Sequence, residues 1–165
     1  YAFAVKETWA SNNEVDNLSE LSSYAPSMTL GTDPEFADRS DGLPLLNETY
    51  GYTFGDVQSM EPTLMYPAID GGEVDAITAY TTDARVDQFN LTILEDNLNA
   101  FPTYEAIIIH NQDYDQYKEL TTVLEILNGL IDTKTMRQLN YRFDVEGVSA
   151  SVIAEDFLRS EGIIE

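Results

Sequence analysis

Cysteine is absent from the chain, which excludes disulfides, thiolate nucleophiles and cysteine-based zinc sites. Histidine is almost absent too. The single one, His110, has no nucleophile to serve, because neither G-x-S-x-G nor S-x-x-K occurs, and it is read as structural. Basic residues are scarce: eight Lys+Arg stand against thirty Asp+Glu, a formal net charge of −22. Such a chain repels nucleic-acid phosphates and anionic headgroups, so neither is expected as a direct partner. No apolar run reaches the roughly 18 residues a membrane span requires. The phosphate-binding glycine patterns are missing as well, and Gly71-Gly72 reads as a helix stop.

What is present is enough for a core: 43% of the 165 residues are hydrophobic. The opening Tyr1-Ala2-Phe3-Ala4-Val5 lacks the basic region and cleavage pattern of a signal peptide. It reads as a buried strand entered abruptly, as though cut from something longer. Asn17-Leu18-Ser19-Glu20 has the form of a capping box and predicts a short helix over 18–24. A strand is expected at 28–31, followed by a helical turn with Asp33 as N-cap and Pro34 in first position.

Helices are expected at 43–50, stopped by Gly51, and from 61 or 62 to 70, capped by Ser59. Strands are expected at 54–58, 74–80 and 91–94. This rhythm predicts an α/β sandwich with a largely parallel sheet. Beyond Phe101-Pro102-Thr103, residues 104–110 form the most apolar run, read as a covered central strand. Helices follow at 117–130, 133–143 and 150–160, the last capped by Ser149 and stopped by Gly162. That segment needs neighbouring strands it does not contain. The expected organisation is a hinge strand at 1–7, an α/β lobe II at 8–101, and a second hinge strand with the C-terminal part of lobe I at 102–165.

Catalysis finds little support. Thirty acids make carboxylate pairs of the kind used in glycoside hydrolysis inevitable by chance, and nothing singles out Glu61, Asp75 or Asp83. No calcium-loop spacing occurs around Asp113-Tyr114-Asp115 or Glu95-Asp96. No catalytic residue, metal or cofactor is assigned. The tyrosines are more informative, at ten in the chain. Tyr1 opens the first border strand, Tyr80 ends the strand 74–80, and Tyr104 opens the second border strand. Ligands of open α/β sheets gather outside the carboxyl ends of strands, so these three are site candidates; packing at an interface is the competing account. Trp9 is expected to pack the lobe rather than join them.

The segment Leu30-Gly31-Thr32-Asp33-Pro34-Glu35-Phe36-Ala37-Asp38-Arg39-Ser40-Asp41-Gly42-Leu43 resembles the lobe II signature of glycine betaine/carnitine/choline-binding proteins of ABC osmoprotectant importers. Further matches are Gly72-Glu73-Val74-Asp75-Ala76, Ala79-Tyr80-Thr81-Thr82-Asp83-Ala84-Arg85 and Leu94-Glu95-Asp96. Phe101-Pro102-Thr103-Tyr104, Leu139-Asn140-Tyr141 and Asp144-Val145-Glu146-Gly147 complete them. The resemblance implies a type II periplasmic-binding-protein fold, with one complete α/β lobe and the C-terminal part of the second. It implies an extracytoplasmic, non-enzymatic protein working with an ABC transporter permease, tethered through a part outside this chain. It also implies a cage of Tyr1, Tyr80 and Tyr104 for a quaternary ammonium, with Arg39 on a ligand carboxylate; beside it, Thr81 and Thr82 are expected either to support Tyr80 or to donate hydrogen bonds. The family's remaining ligand residues lie in the N-terminal part of lobe I, which this sequence lacks and which is expected as a partner. The rival readings are a secreted carboxylate-pair hydrolase and a structural surface domain.

Overall fold

A computed structural model describes every residue except Thr103, His110 and Asp115, together with all side chains but those of Tyr114 and Lys118. Five strands form one sheet: β1 (Ala2–Lys6), β2 (Thr29–Thr32), β3 (Asp56–Ser59), β4 (Ala76–Ala79) and β5 (Leu91–Leu94), in the order β3-β2-β4-β1-β5. The helices are α1 (Glu7–Asn13), α2 (Pro34–Asp38), α3 (Leu43–Tyr50), α4 (Pro62–Gly71), α5 (Arg85–Gln88), α6 (Lys118–Glu125), α7 (Thr133–Asp144) and α8 (Ala150–Ser160).

The sheet is mixed rather than largely parallel. β2 pairs in parallel with β3 and β4, whereas β1 lies between β4 and β5 and is antiparallel to both. Four strands thus share a direction and β1 alone opposes them. A strand's direction is fixed by long-range pairing, which local alternation does not encode. Along β1, Phe3 and Val5 enter one hydrophobic core with Leu30, Phe36 and Leu94. Ala4, between them, enters the other, with Ile77 and with Met65, Tyr66 and Ile69 of α4. This is the period-two signature of a sheet covered on both faces. Each large apolar side chain taken fully out of water there stabilises the lobe by about 1.5–3 kcal/mol.

Local signals act where they are read. The Asp33 carboxylate accepts from the Phe36 N–H at 2.8 Å, with Pro34 opening α2. Gly51 and Gly72 end α3 and α4 in the left-handed conformation, at φ 71° and 75°, which costs glycine no Cβ clash. The Asn17/Glu20 box forms in both directions, but the backbone beyond it makes two short 3-10 turns, Glu20–Ser23 and Ala25–Ser27, instead of a helix over 18–24. Pro26 explains the break, because its ring removes an N–H and crowds the preceding turn. One cap differs from expectation. Glu61, not Ser59, is the N-cap of α4, whereas Ser149 is the N-cap of α8 as expected, though neither makes a side-chain cap bond. The helix expected over 117–130 ends as α6 at Glu125 and continues as turns.

Residues 104–109 depart most from expectation. They form no ladder, and Ile107 and Ile109 are 75% and 83% exposed. An apolar run becomes a strand only when another strand's N–H and C=O groups meet its own, and among the described residues none lies beside it. His110 falls outside the described residues.

Candidate functional site

The reversed direction of β1 builds the centre of the site. Its register with β4 sets Ala2 opposite Ala79, so one step further along the ladder Tyr1 meets Tyr80. Their ring centroids are 4.8 Å apart, and the Tyr80 hydroxyl donates to the Tyr1 hydroxyl at 3.1 Å. Had β1 run parallel to β4, its first residue would lie at the opposite end of the strand from Tyr80, roughly 15 Å away at 3.3 Å per residue.

β2 runs parallel to β4, so its carboxyl end, and α2 after it, arrive at the same edge. There Phe36, almost fully buried, has its ring centroid 4.8 Å from that of Tyr1. Phe101 stacks on Phe36 at 5.9 Å. Phe101 is held in turn by Asp96, which accepts from the N–H groups of Ala100 at 2.9 Å and Phe101 at 2.7 Å. The chain leaves this anchor towards Tyr104, whose ring comes to 6.2 Å from Tyr1 in an edge-on arrangement. Tyr1, Tyr80 and Tyr104 therefore form one cluster at one edge of the sheet. Tyr80 and Tyr104 are 39% and 57% exposed, which leaves their faces open to solvent. Burial, then the hydrogen bond with Tyr80, then nearby Asp33 hold the Tyr1 phenol well above the ordinary phenol range, so it stays neutral.

Arg39 joins this cluster from the turn after α2, its guanidinium carbon 5.6 Å from the Tyr1 ring centroid. Gly42 closes the turn with an N–H donated to the Arg39 carbonyl at 2.9 Å. A Cβ on Gly42 would sit 2.3 Å from the Phe36 carbonyl oxygen, so only glycine allows so tight a return. The turn brings Asp41 against Arg39. Nε and Nη2 donate to the two Asp41 oxygens at 2.6 and 3.2 Å, Nη2 also donates to the Tyr104 hydroxyl at 2.6 Å, and Nη1 donates to Glu35 at 3.3 Å. These bonds, Asp41 foremost and Tyr104 next, push the Arg39 pKa still higher. Four of the five guanidinium N–H groups are thus engaged, and the fork that would grip a carboxylate with two parallel bonds already holds Asp41.

Thr81 and Thr82 follow Tyr80, and it is their carbonyl oxygens that carry described hydrogen bonds. Asn140 Nδ2 donates to Thr82 O at 2.9 Å and Arg137 Nη1 to Thr81 O at 3.4 Å. A cleft of about 530 Å³ opens beside them, lined by Tyr80, Thr82, Asp83, Arg85, Gln88, Asn140 and Asp144. Trp9 lies elsewhere, edge-on to Tyr24 at 5.2 Å. Phe36, Phe101, Asp41, Glu35 and Asn140 were not singled out from sequence. Glu35 and Asp41 were findable, standing four before and two after Arg39. Asn140 had no such signal.

Two of the three carboxylates considered for hydrolysis have other partners. Asp75 accepts from the Thr29 N–H at 2.8 Å, and Asp83 holds Arg85 through two bonds of 2.9 and 2.6 Å. Glu61 stands at the N-cap position of α4 without a side-chain cap bond. Among the described residues, no three His, Cys, Asp or Glu side chains gather as a metal site, and no helix is long and apolar enough to cross a membrane.

A family model described as the substrate binding domain of an ABC-type glycine betaine transport system, OpuAC, matches residues 1–160. The chain belongs to that family. It is 32% identical over 177 residues to a glycine-betaine-binding protein of Pseudomonas aeruginosa, covering 100% of this chain and 57% of that protein. It is 29% identical over 164 residues to the ergothioneine transport permease/ergothioneine binding protein EgtU of Helicobacter pylori, covering 99% of this chain and 30% of that one. The crystal structure of a glycine betaine/carnitine/choline ABC transporter superposes on all of this chain with a TM-score of 0.88 at 32% identity, over 61% of its own length. The chain thus spans about a third to three fifths of these relatives. It has a periplasmic-binding-protein α/β fold, and its family is one of substrate binding, not of enzymes.

Proposed function

We propose that this chain is the larger part of an extracytoplasmic solute-binding protein that captures a quaternary-ammonium osmolyte (glycine betaine, carnitine or choline) and hands it to an ABC transporter permease. The convergence of Tyr1, Tyr80 and Tyr104 at one sheet edge carries the reading. A trimethylammonium group has no N–H to donate, so a carboxylate cannot hydrogen-bond it. Aromatic faces attract it electrostatically, by about 0.5–1 kcal/mol per exposed ring and about 2 kcal/mol when water is excluded. Phe36 and Phe101 stiffen the cluster from behind, which limits the ordering cost of binding. Relatives support the same ligand class, since glycine betaine, carnitine and choline stand in the names of proteins this chain resembles. EgtU supports the partner, because its name joins a permease to a binding protein.

Arg39 extends the reading to ligands with a carboxylate, in a changed form. With the fork holding Asp41, a carboxylate meets the remaining N–H of Nη1, beside exposed Glu35, rather than a two-bond clamp. In this arrangement Thr81 and Thr82 support Tyr80 through their backbone. The rest of lobe I closes over the rings and excludes water. Residues 1–7 serve as the first hinge strand, the apolar run that opens at Tyr104 becomes the second only against the rest of lobe I, and the membrane tether belongs to a part outside this chain. Alone, with two rings wet, the chain binds at about millimolar affinity or weaker.

Calorimetric titration with glycine betaine and choline, with and without the complementary part of lobe I, tests this. The joined protein binds both, Tyr104→Ala weakens both at least tenfold, and Arg39→Ala weakens glycine betaine more than choline. Unchanged affinity in Tyr104→Ala removes that ring from the cage, and equal losses in Arg39→Ala mean that it does not read the carboxylate.

A further inference from the structure

The loop from Tyr80 to Arg85 connects β4 to α5, and its position decides where the Tyr80 ring points. From within the lobe it is pinned by its own residues. Asp83 N donates to Tyr80 O at 3.0 Å, and the Asp83 carboxylate accepts from both the backbone and the side chain of Arg85. The Arg85 guanidinium carbon lies 4.3 Å from the centroid of the buried Tyr66 ring. That leaves the carbonyls of Thr81 and Thr82 facing outwards, at a half-exposed stretch of backbone with no regular partner.

Both carbonyls are taken by α7, from 56 and 58 residues away. Asn140 supplies the shorter bond, 2.9 Å to Thr82 O. Arg137 supplies the longer one to Thr81 O and also pairs with Asp87 of α5 at 3.3 Å. One helix of the C-terminal segment therefore spans the loop from its start to the helix that follows it. A carbonyl there needs a donor, and a neutral amide supplies one with less pull than a cation towards Asp83 and Asp144, which line the same cleft. α7 has no buried residue of its own, so these polar contacts are a large part of what fixes it against the lobe.

We propose that Asn140 is a positioning residue for Tyr80: through the Thr82 carbonyl it sets the aromatic wall of the ligand seat, and so couples that wall to the placement of α7. The inference rests on the reading of Tyr80 as a ligand contact and goes beyond it by naming a residue that touches no ligand. A shift of α7 then moves the loop, and the loop moves the ring. Ligand affinity and the packing of the C-terminal helices become linked quantities.

A double-mutant cycle tests it, with glycine betaine and choline titrated into the protein and the N-methyl protons followed by NMR, so that millimolar affinities stay measurable. Asn140→Ala weakens both ligands about five- to tenfold. Asn140→Asp, which keeps the volume and puts an oxygen against the carbonyl, weakens them at least as much and serves where the alanine variant folds poorly. In a Tyr80→Ala background the further loss from either Asn140 change falls below twofold, because the ring it acts through is gone. Equal losses in both backgrounds, or wild-type affinity in Asn140→Ala and Asn140→Asp, overturn the positioning role and leave the ligand reading intact. A wild-type protein that binds neither compound overturns the ligand reading, and this inference with it.

Discussion

Ile77 and Ile107 carry the same side chain, yet one is fully buried and the other 75% exposed. Ile77 sits in β4 with β2 on one side and β1 on the other, under α4. Ile107 sits in the most apolar run of the chain with no strand described beside it. The contrast extends to the two regions around them. Apart from Ile153, every buried apolar residue described lies at or before Ala100, although Val123, Ile126, Phe143 and Val152 give the later helices apolar faces as well. Intrinsic hydrophobicity proposes burial; only a neighbouring surface delivers it.

The largest expected effect separates these two isoleucines. Ile77→Ala removes three methyl or methylene groups from a closed core and destabilises the chain by about 2–5 kcal/mol. Ile107→Ala shifts stability by less than about 0.5 kcal/mol, as for an exposed site. Urea unfolding of both variants reads the difference directly. Adding the complementary part of lobe I sharpens the comparison, since Ile107→Ala then acquires a cost of its own. Equal destabilisation in the isolated chain would mean that residues 104–109 are already packed.

The same contrast explains what could be read in advance. Signals contained within a few residues, such as Asp33-Pro34 at α2 or Gly51 and Gly72 after their helices, act locally and appear where expected. The direction of β1 depends on strands more than 70 residues away, and nothing in Tyr1–Val5 records it. That direction is also what sets Tyr1 beside Tyr80. The proximity of three strand-border tyrosines was therefore legible as a possibility, but their geometry was not. Arg39 stood out in its segment, while the engagement of its fork by Asp41 depends on the turn that Gly42 closes. Asn140 looks like any other polar helix residue until α7 is set against the β4–α5 loop.

Ion pairs repeat the comparison on a smaller scale. Asp83, whose side chain is 10% exposed, holds Arg85 inside the lobe, whereas Asp156, 51% exposed, holds Arg142 between α7 and α8. Asp83→Asn leaves Arg85 without its partner near Tyr66 and costs about 1–3 kcal/mol. Asp156→Asn costs under about 0.5 kcal/mol, as exposed pairs do. The pH dependence gives the finer test. Burial alone would raise the Asp83 pKa, but the Arg85 hydrogen bonds outweigh it and hold the carboxyl below its ordinary value. A carboxyl depressed in the folded state binds fewer protons there than in the unfolded chain, so its contribution is complete above about pH 4 and disappears as pH falls through the folded value. Thermal midpoints measured from pH 5 down to pH 2 therefore fall more steeply for the wild type than for Asp83→Asn, and the two curves converge at the acid end. Parallel curves would show that the Asp83–Arg85 pair in the packed lobe contributes no more than a pair in open solvent.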